Sequence, residues 1–355
     1  MHGNYVGKII GEKNVYVGKN SPNQHMIISG TSGAGKSIRI VEIERNIIRE
    51  GGTVIAFDIN GTHEKVEGEI YNYISAQRDG LNVKLLDTSL VQNGQETMTN
   101  LLEYVMTILC PRQLRGAVQQ NAVREALKFA IRNQKNFSTE MEAIAEGLNV
   151  QDSTEAKGAY RHLCDILEGN IFRCSEKQII ERRLNIISLK GINPKTQKRI
   201  IEIFLGVYWK MLRTNENNLK KCTLVIDEFQ NLAFETNTVL FQMLTEARKY
   251  KLQLILATQT LTVFSKKQLA VINQAAVKLF FQPNVVDIRQ IADFIEPGKK
   301  ENWFAKLRDL KIGQAITVGE LEINGHPKSQ PIVTYSDYQS KKAAQPPNLP
   351  HNIGG

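Results

Sequence analysis

Residues 30–37 have the sequence Gly-Thr-Ser-Gly-Ala-Gly-Lys-Ser, which matches the pattern G-x-x-x-x-G-K-[ST] at every fixed position. The apolar run Met26-Ile27-Ile28 precedes the motif. After it, isoleucines recur at helical spacing from Ser37 to Glu50, and Gly51-Gly52 ends that pattern. A buried strand, a glycine-rich loop and a helix in this order predict a P-loop. This feature constrains the fold most, because such a unit belongs to parallel sheets covered by helices.

The residue types of the motif fit the binding of ATP with Mg²⁺ for physical reasons. Glycines let backbone N–H groups turn inward around a phosphate without a Cβ clash, and the following helix points its positive end at the same place. Lys36 is expected to neutralise phosphate charge, and the Ser37 hydroxyl to ligate Mg²⁺. The nucleotide-binding residues predicted in the loop are Gly30, Thr31, Ser32, Gly33, Ala34, Gly35, Lys36 and Ser37.

An acidic pair after another apolar run is suited to binding the metal ion at such a site. The apolar run Leu224-Val225-Ile226 ends in Asp227 and Glu228. Asp227 is expected to bind the nucleotide's Mg²⁺, as a Walker B aspartate does, and Glu228 to act as general base toward water. The adjacent glutamate favours a hydrolysing ATPase over a switch GTPase. The alternative, an acid pair that caps a following helix, stays open.

A glutamine ends another apolar run. Leu254 to Ala257 is followed by Thr258 and Gln259. A glutamine at a strand tip beside the γ-phosphate can sense hydrolysis through a hydrogen bond, so Gln259 is a candidate catalytic residue. The alternative is a glutamine that begins a surface loop.

The rest of the pattern predicts an α/β fold: a RecA-like, additional-strand P-loop NTPase with a mostly parallel central sheet. Short hairpins are expected at Tyr5 to Val17 and around Asn324-Gly325. The other predicted strands are 53–57, 83–86, 184–189, 223–226, 252–257, 277–281 and 315–318.

Residues 101–170 contain almost no strand-like run, which predicts a helical subdomain inserted into the sheet domain. The expected division has a short hairpin at 1–20, the first part of the core at 21–100, the inserted subdomain at 101–180 and the second part of the core at 181–340. Residues 341–355 are expected to be a disordered tail, because this end is rich in Pro, Asn and Gly.

Composition narrows the class of protein. The chain of 355 residues has a formal net charge of +9, which suits a polyanionic partner such as DNA. It has no apolar run near the roughly 20 residues that span a bilayer and no signal-peptide pattern, so a cytoplasmic location is expected. The cysteines show no disulfide or zinc spacing and are expected to be reduced thiols.

The order of these elements resembles the HerA/FtsK superfamily of hexameric ATPases, which includes conjugative coupling and type IV secretion motors. The resemblance covers about residues 20–335. Besides the P-loop, it is carried by 58–61, by Asp227-Glu228-Phe229-Gln230-Asn231-Leu232, by Glu246-Ala247-Arg248-Lys249-Tyr250, by the strand before Gln259 and by 310–315. HerA proteins usually carry an N-terminal β-barrel, whereas only about 20 residues precede the P-loop strand here.

Membership of this superfamily would imply a homo-hexameric ring with ATP at the subunit interfaces. It would also imply that Arg248 reaches the neighbouring subunit's γ-phosphate as an arginine finger. The alternative for Arg248 is an exposed arginine on a helix, beside Lys249.

In RecA-like motors the loop after the glutamine strand faces the channel of the ring. Here that loop contains Phe264, Lys266 and Lys267, so the two lysines are candidate contacts for the phosphates of double-stranded DNA. The alternative is a solvated charge pair at the start of a helix.

Three functions fit these observations. The first is a DNA translocase or helicase that acts with an effector such as a nuclease. The second is a conjugation or type IV secretion motor, which would need a membrane partner. The third is an ATP-dependent ring scaffold of an anti-phage defence complex, with an effector such as an NAD-consuming enzyme.

Overall fold

The computed structural model describes residues 4–11, 13–61, 63, 70–110, 116–215, 219–299 and 301–336. The strands are β1 Tyr5–Lys8, β2 Asn14–Val17, β3 Met26–Ser29, β4 Thr53–Asp58, β5 Tyr71–Ser75, β6 Leu184–Ser188, β7 Cys222–Ile226, β8 Leu252–Thr258, β9 Val277–Phe280, β10 Gln314–Gly319, β11 Leu321–Ile323, β12 His326–Lys328 and β13 Ile332–Tyr335. The helices are α1 Lys36–Arg49, α2 Ser89–Gln92, α3 Met98–Leu109, α4 Ala117–Asn133, α5 Glu140–Asn149, α6 Thr154–Leu167, α7 Pro194–Thr214, α8 Val239–Glu246, α9 Lys266–Ile272, α10 Ile288–Ile295 and α11 Glu301–Arg308.

Two compact units are formed by the described parts of the chain. The first combines Met1–Val54, Lys221–Gln230 and Leu244–Gly355, and the second combines Ile55–Lys220 and Asn231–Met243. The predicted division into a core, an inserted subdomain and two end segments stays a prediction, and the predicted tail at 341–355 lies outside the described residues.

Parallel strands form the centre of the first unit. β3 lies between β8 and β9 and is parallel to both, and β7 is parallel to β8. Every residue of these strands is buried, which explains their mostly apolar sequences, because a parallel sheet is covered on both faces. The P-loop strand therefore lies inside a parallel sheet, as the sequence predicts.

An antiparallel extension continues this sheet beyond β9, with the strands in the order β10, β13, β1, β2, β11 and β12. The predicted N-terminal hairpin exists as β1 and β2, and β1 pairs with β13 through Lys8 and Tyr335. The predicted tight turn also exists, since Asn324 and Gly325 both have positive φ, at 52° and 79°, between β11 and β12. That both hairpins join the main sheet was not predicted.

The second unit carries β6 and β5 side by side, β4 from Ile55 onward next to β6, and α3 to α7. Helices α4, α5 and α6 pack against one another, and α7 contacts α3 and α6. Their interhelical faces bury Leu127, Ile144 and Leu163. No helix of the described residues is long and apolar enough to cross a bilayer.

The prediction of a strand at 83–86 is wrong. Leu85 and Leu86 are buried, but their backbone N–H groups donate to the two carboxylate oxygens of Glu140, at 2.7 and 3.2 Å, instead of to a neighbouring strand. The strand of this region is β5, where Tyr71 pairs with Leu184 of β6 in parallel. β5 is only half-buried and has a mixed polar sequence, so its apolar signal is weak.

Candidate nucleotide-binding site

The loop between β3 and α1 has a backbone that only glycine adopts easily. Gly33 and Gly35 have φ values of 76° and 105°, in the left-handed region. A Cβ at Gly35 would also lie 2.8 Å from the nitrogen of Gly313, whose N–H donates to the carbonyl of Ala34 at 2.8 Å. Both backbone shape and space therefore require glycine at position 35.

The first turn of α1 is open to an anion. Gly35 occupies the N-cap position with no side-chain cap from the described residues, and the first turn contains no acidic residue. N–H groups at the start of a helix carry partial positive charge and need acceptors from outside the helix. Ser37 lies in this turn and is half-buried.

Lys36 is enclosed by its own loop. The residue is 6% exposed, and its Nζ donates to the carbonyls of Gly30, at 2.6 Å, and Thr31, at 3.0 Å. Burial lowers the pKa of Lys36, whereas the negative charges of Asp227 and Glu228 raise it. The ammonium group thus lies within the electrostatic field of both carboxylates.

Arg39, on the buried face of α1, was not predicted from the sequence. It is fully buried, and it donates to the carbonyls of Val6, at 3.0 Å, and Gly313, at 3.1 Å, and to the Thr334 hydroxyl at 3.0 Å. Burial lowers its pKa to about 10. The available signal was its position on the apolar stripe of the helix, one turn before Ile43.

Asp227 and Glu228 follow β7 directly, in the place expected for the acidic pair. Glu228 has a φ of 56°, and its N–H donates to Oδ1 of Asp227 at 2.9 Å. A non-glycine residue in the left-handed region is strained, so the surrounding contacts must hold this turn in place.

Glu228 and Gln259 are brought together, as expected for residues that follow the neighbouring parallel strands β7 and β8. Nε2 of Gln259 donates to Oε1 of Glu228 at 2.6 Å. Nε2 of Gln230 donates to the other oxygen, Oε2. No separate role was predicted for Gln230, which appears in the sequence analysis only as part of the motif 227–232. Its position two residues after Glu228 could have indicated this contact.

Arg248 is the remaining predicted catalytic residue. Helix α8 ends at Glu246, and the arginine is carried by the 3₁₀ turn Ala247–Tyr250 that follows it. Arg248 is exposed, and within the described ranges it makes no hydrogen bond or ion pair with Lys36, Asp227 or Glu228.

A buried carboxylate shapes the loop after β8. Oδ1 of Asp287 accepts hydrogen bonds from the Thr260 hydroxyl, at 2.8 Å, and from the N–H groups of Leu261 and Thr262, at 3.3 and 3.2 Å. Asp287 itself is fully buried. The conformation of this loop is therefore fixed from within the protein.

Lys266 and Lys267 lie at the start of α9 and are exposed, as expected for candidate phosphate contacts. Phe264, which the sequence places beside them, is instead 8% exposed and stacks on Phe229 with ring centroids 5.0 Å apart. The ring of Phe264 is therefore not available for contact with DNA.

Comparisons with known proteins agree with this geometry. Residues 4–207 match the family model of the central domain of helicase HerA. The chain is 21% identical to the DNA double-strand break repair helicase HerA of Sulfolobus acidocaldarius, over 97% of this chain and 71% of that protein. It is 22% identical to the protein of the same name from Saccharolobus solfataricus, over 89% of this chain and 66% of that protein.

Solved structures show the same fold. VirB4 of Thermoanaerobacter pseudethanolicus matches with a TM-score of 0.70 at 16% identity, over 96% of this chain and 98% of VirB4. The plasmid coupling protein TrwB in complex with ADP and Mg²⁺ matches with a TM-score of 0.63 at 14% identity, over 89% of this chain and 86% of TrwB. The fold is that of a P-loop NTPase, and the chain belongs to the family defined by the central domain of helicase HerA.

Proposed function

We propose that this chain is one subunit of a six-membered ring that hydrolyses ATP and uses the energy to move double-stranded DNA. One observation carries the proposal. The carboxylate of Glu228, at the end of β7, is hydrogen-bonded to Gln259, and the loop that begins at Gln259 leads to the exposed Lys266 and Lys267. A hydrolytic group and a basic surface are thus connected by one short segment. The names of the two HerA relatives support DNA as the partner.

The residues present fit a nucleotide with Mg²⁺. The positive φ values of Gly33 and Gly35, the uncapped start of α1 and the enclosed ammonium group of Lys36 form a cradle for phosphate oxygens. Ser37 and Asp227 would hold the metal ion. Bound Mg²⁺ supplies positive charge that stabilises the negative charge on the reacting phosphates.

Three residues of the chain would then have separate roles in hydrolysis. Lys36 holds and neutralises phosphate oxygens, and Glu228 accepts the proton of the attacking water on a carboxylate oxygen. Gln259 orients that carboxylate through its 2.6 Å hydrogen bond and reports whether the γ-phosphate is present. Each role depends on fixed geometry, which the strained turn at Glu228 and the two amide donors provide.

The proposal also includes a residue that acts between subunits, Arg248. Transition-state charge in such reactions is commonly neutralised by an arginine. Arg248 is exposed on a turn and makes no hydrogen bond or ion pair with Asp227 or Glu228 among the described residues. We therefore assign it to the site of the adjacent subunit. The effector expected from the sequence, such as a nuclease or an NAD-consuming enzyme, belongs to the same proposal, and the proteins that co-purify with the chain identify it.

The test is ATP hydrolysis by the purified chain with and without duplex DNA, followed by displacement of a third strand from a DNA triplex. We expect DNA to stimulate hydrolysis and ATP to drive displacement, and Lys36→Ala to abolish both. Turnover that DNA leaves unchanged, in a ring that still assembles with ATP, would instead support the scaffold. Hydrolysis that survives in Lys36→Ala would contradict the assignment of the P-loop.

A further inference from the structure

Phe229 and Phe264 form a stacked pair in the first unit. Their ring centroids lie 5.0 Å apart and their planes differ by 15°. Phe229 is fully buried and Phe264 is 8% exposed. Closely packed rings of this kind move together, because separation would open a gap that the dense interior does not fill.

One ring of the pair belongs to the turn that carries the proposed base. Phe229 follows Glu228 directly, and Glu228 has a φ of 56°. A strained backbone of this kind persists only where its neighbours over-determine it. The buried ring of Phe229 is one of the groups that fix the turn, and a shift of this ring therefore changes the direction of the Glu228 carboxylate.

The other ring belongs to the segment that carries the lysines. Phe264 directly precedes Ser265, which caps α9 in a capping box with Gln268. The N–H of Ser265 donates to Oε1 of Gln268 at 2.7 Å, and the first residues of the capped helix are Lys266 and Lys267. The cap joins Phe264 to the lysine-bearing turn as one local unit.

The same loop also reaches the base at its other end. Gln259 donates to Glu228 at 2.6 Å, and Asp287 fixes the loop residues that follow it, beginning at Thr260. The segment from Gln259 to Lys267 thus contacts the Glu228 turn both through a hydrogen bond to its carboxylate and through a ring against its neighbour.

We propose that Phe264 is a positioning residue that couples DNA on Lys266 and Lys267 to the geometry of Glu228 through its stack with Phe229. The proposal rests on the proposed function, in which these lysines bind phosphates and Glu228 is the base. Phosphates that pull on the start of α9 move Phe264, and Phe229 transfers this movement to the turn beside it.

The test measures kcat and KM for ATP, with and without duplex DNA, in the full chain and in Phe264→Leu. Leucine keeps the apolar character of the site but removes the stacked ring. We expect the ratio of DNA-stimulated to basal kcat to fall by about fivefold or more, a typical size for coupling between sites. The KM for ATP and the Kd for DNA should stay unchanged, because neither the P-loop nor the lysines are altered.

Matched variants separate coupling from general damage. Phe264→Tyr keeps the ring and should retain the stimulation, and Phe264→Met serves as a second test if Phe264→Leu does not fold. Phe241→Leu is the control, because Phe241 is equally buried and packs on Phe234 with centroids 5.4 Å apart in the second unit. Full stimulation in Phe264→Leu, or an equal loss in Phe241→Leu, would overturn the coupling. Wild-type hydrolysis that DNA does not stimulate would instead contradict the proposed function itself.

Discussion

The side-chain amide of Gln259 donates a 2.6 Å hydrogen bond to the carboxylate of Glu228, across the ends of two parallel strands. The second oxygen of that carboxylate accepts from Gln230. Two amide donors, one on each oxygen, fix the direction of the group. The proposed base is therefore held in one orientation by its own chain, and each carboxylate oxygen keeps a second lone pair that can accept from an attacking water.

Glu228→Gln tests the role of this carboxylate. Glutamine keeps the size of the side chain but cannot accept the proton of water, so ATP should still bind while hydrolysis falls by about 10²- to 10⁴-fold. Nucleotide binding and single-turnover hydrolysis are measured separately. Glu301→Gln, a change at an exposed carboxylate, serves as the control and should leave both measurements unchanged. Loss of binding with normal chemistry would show that Glu228 is structural.

A buried histidine gives the fold a defined pH dependence. His25 is 2% exposed, its Nδ1 accepts from the N–H of Leu254 at 3.0 Å, and burial lowers its pKa to about 4. The unfolded imidazole titrates near 6.5, so the unfolded chain binds more protons between these two values. The stability that neutral His25 contributes is complete above about pH 6.5 and is lost as the pH falls toward 4.

His25→Asn removes this titration while keeping an oxygen that can accept from Leu254. Between pH 7 and pH 5 the wild type should lose about 2 kcal/mol of unfolding free energy that the variant keeps. Urea unfolding at both pH values provides the measurement. His326→Asn, at an exposed histidine, should retain the wild-type pH dependence, and a wild-type slope in His25→Asn would show that other groups cause it.

Local patterns explain which parts of the site could be predicted. The P-loop and the acidic pair are short segments whose residue types follow from the chemistry of phosphate and metal. Gln259 was recognisable because it ends an apolar, strand-like run. The bonds of Arg39 to Val6 and Thr334 join residues far apart in sequence, so no local pattern contains them. The error at 83–86 has the same origin, because the acceptor of those N–H groups is a distant glutamate.

The lysine pair predicts how DNA binding responds to salt. Lys266 and Lys267 are exposed, and each phosphate contact releases counterions. Replacement of both by alanine should weaken binding and reduce the slope of log K against log salt by about one unit per lost contact. Fluorescence anisotropy over a range of salt concentrations measures the slope. Lys299→Ala, which removes an exposed lysine paired with Glu296, is the control. An unchanged slope in the double variant would place the DNA path elsewhere.

Arg248 should act on the site of the adjacent subunit. Arg248 lies in the first unit, as do Lys36, Ser37, Asp227 and Glu228. It is exposed, however, and makes no hydrogen bond or ion pair with them among the described residues. Arg248→Ala should leave ATP binding and the ring intact, while hydrolysis falls by about 10³-fold or more, the scale of arginine fingers. Native mass spectrometry should give a hexamer for both the wild type and the variant.

Mixing two inactive variants decides between action within a subunit and action between subunits. Arg248→Ala subunits keep the P-loop, and Lys36→Ala subunits keep the arginine. If Arg248 acts on its neighbour, some interfaces of a mixed ring pair an intact P-loop with an intact arginine, and part of the activity returns. If Arg248 acts within its own chain, every site lacks one group and the mixture stays inactive. Full activity of Arg248→Ala alone, or an active monomer at all concentrations, would contradict the shared site.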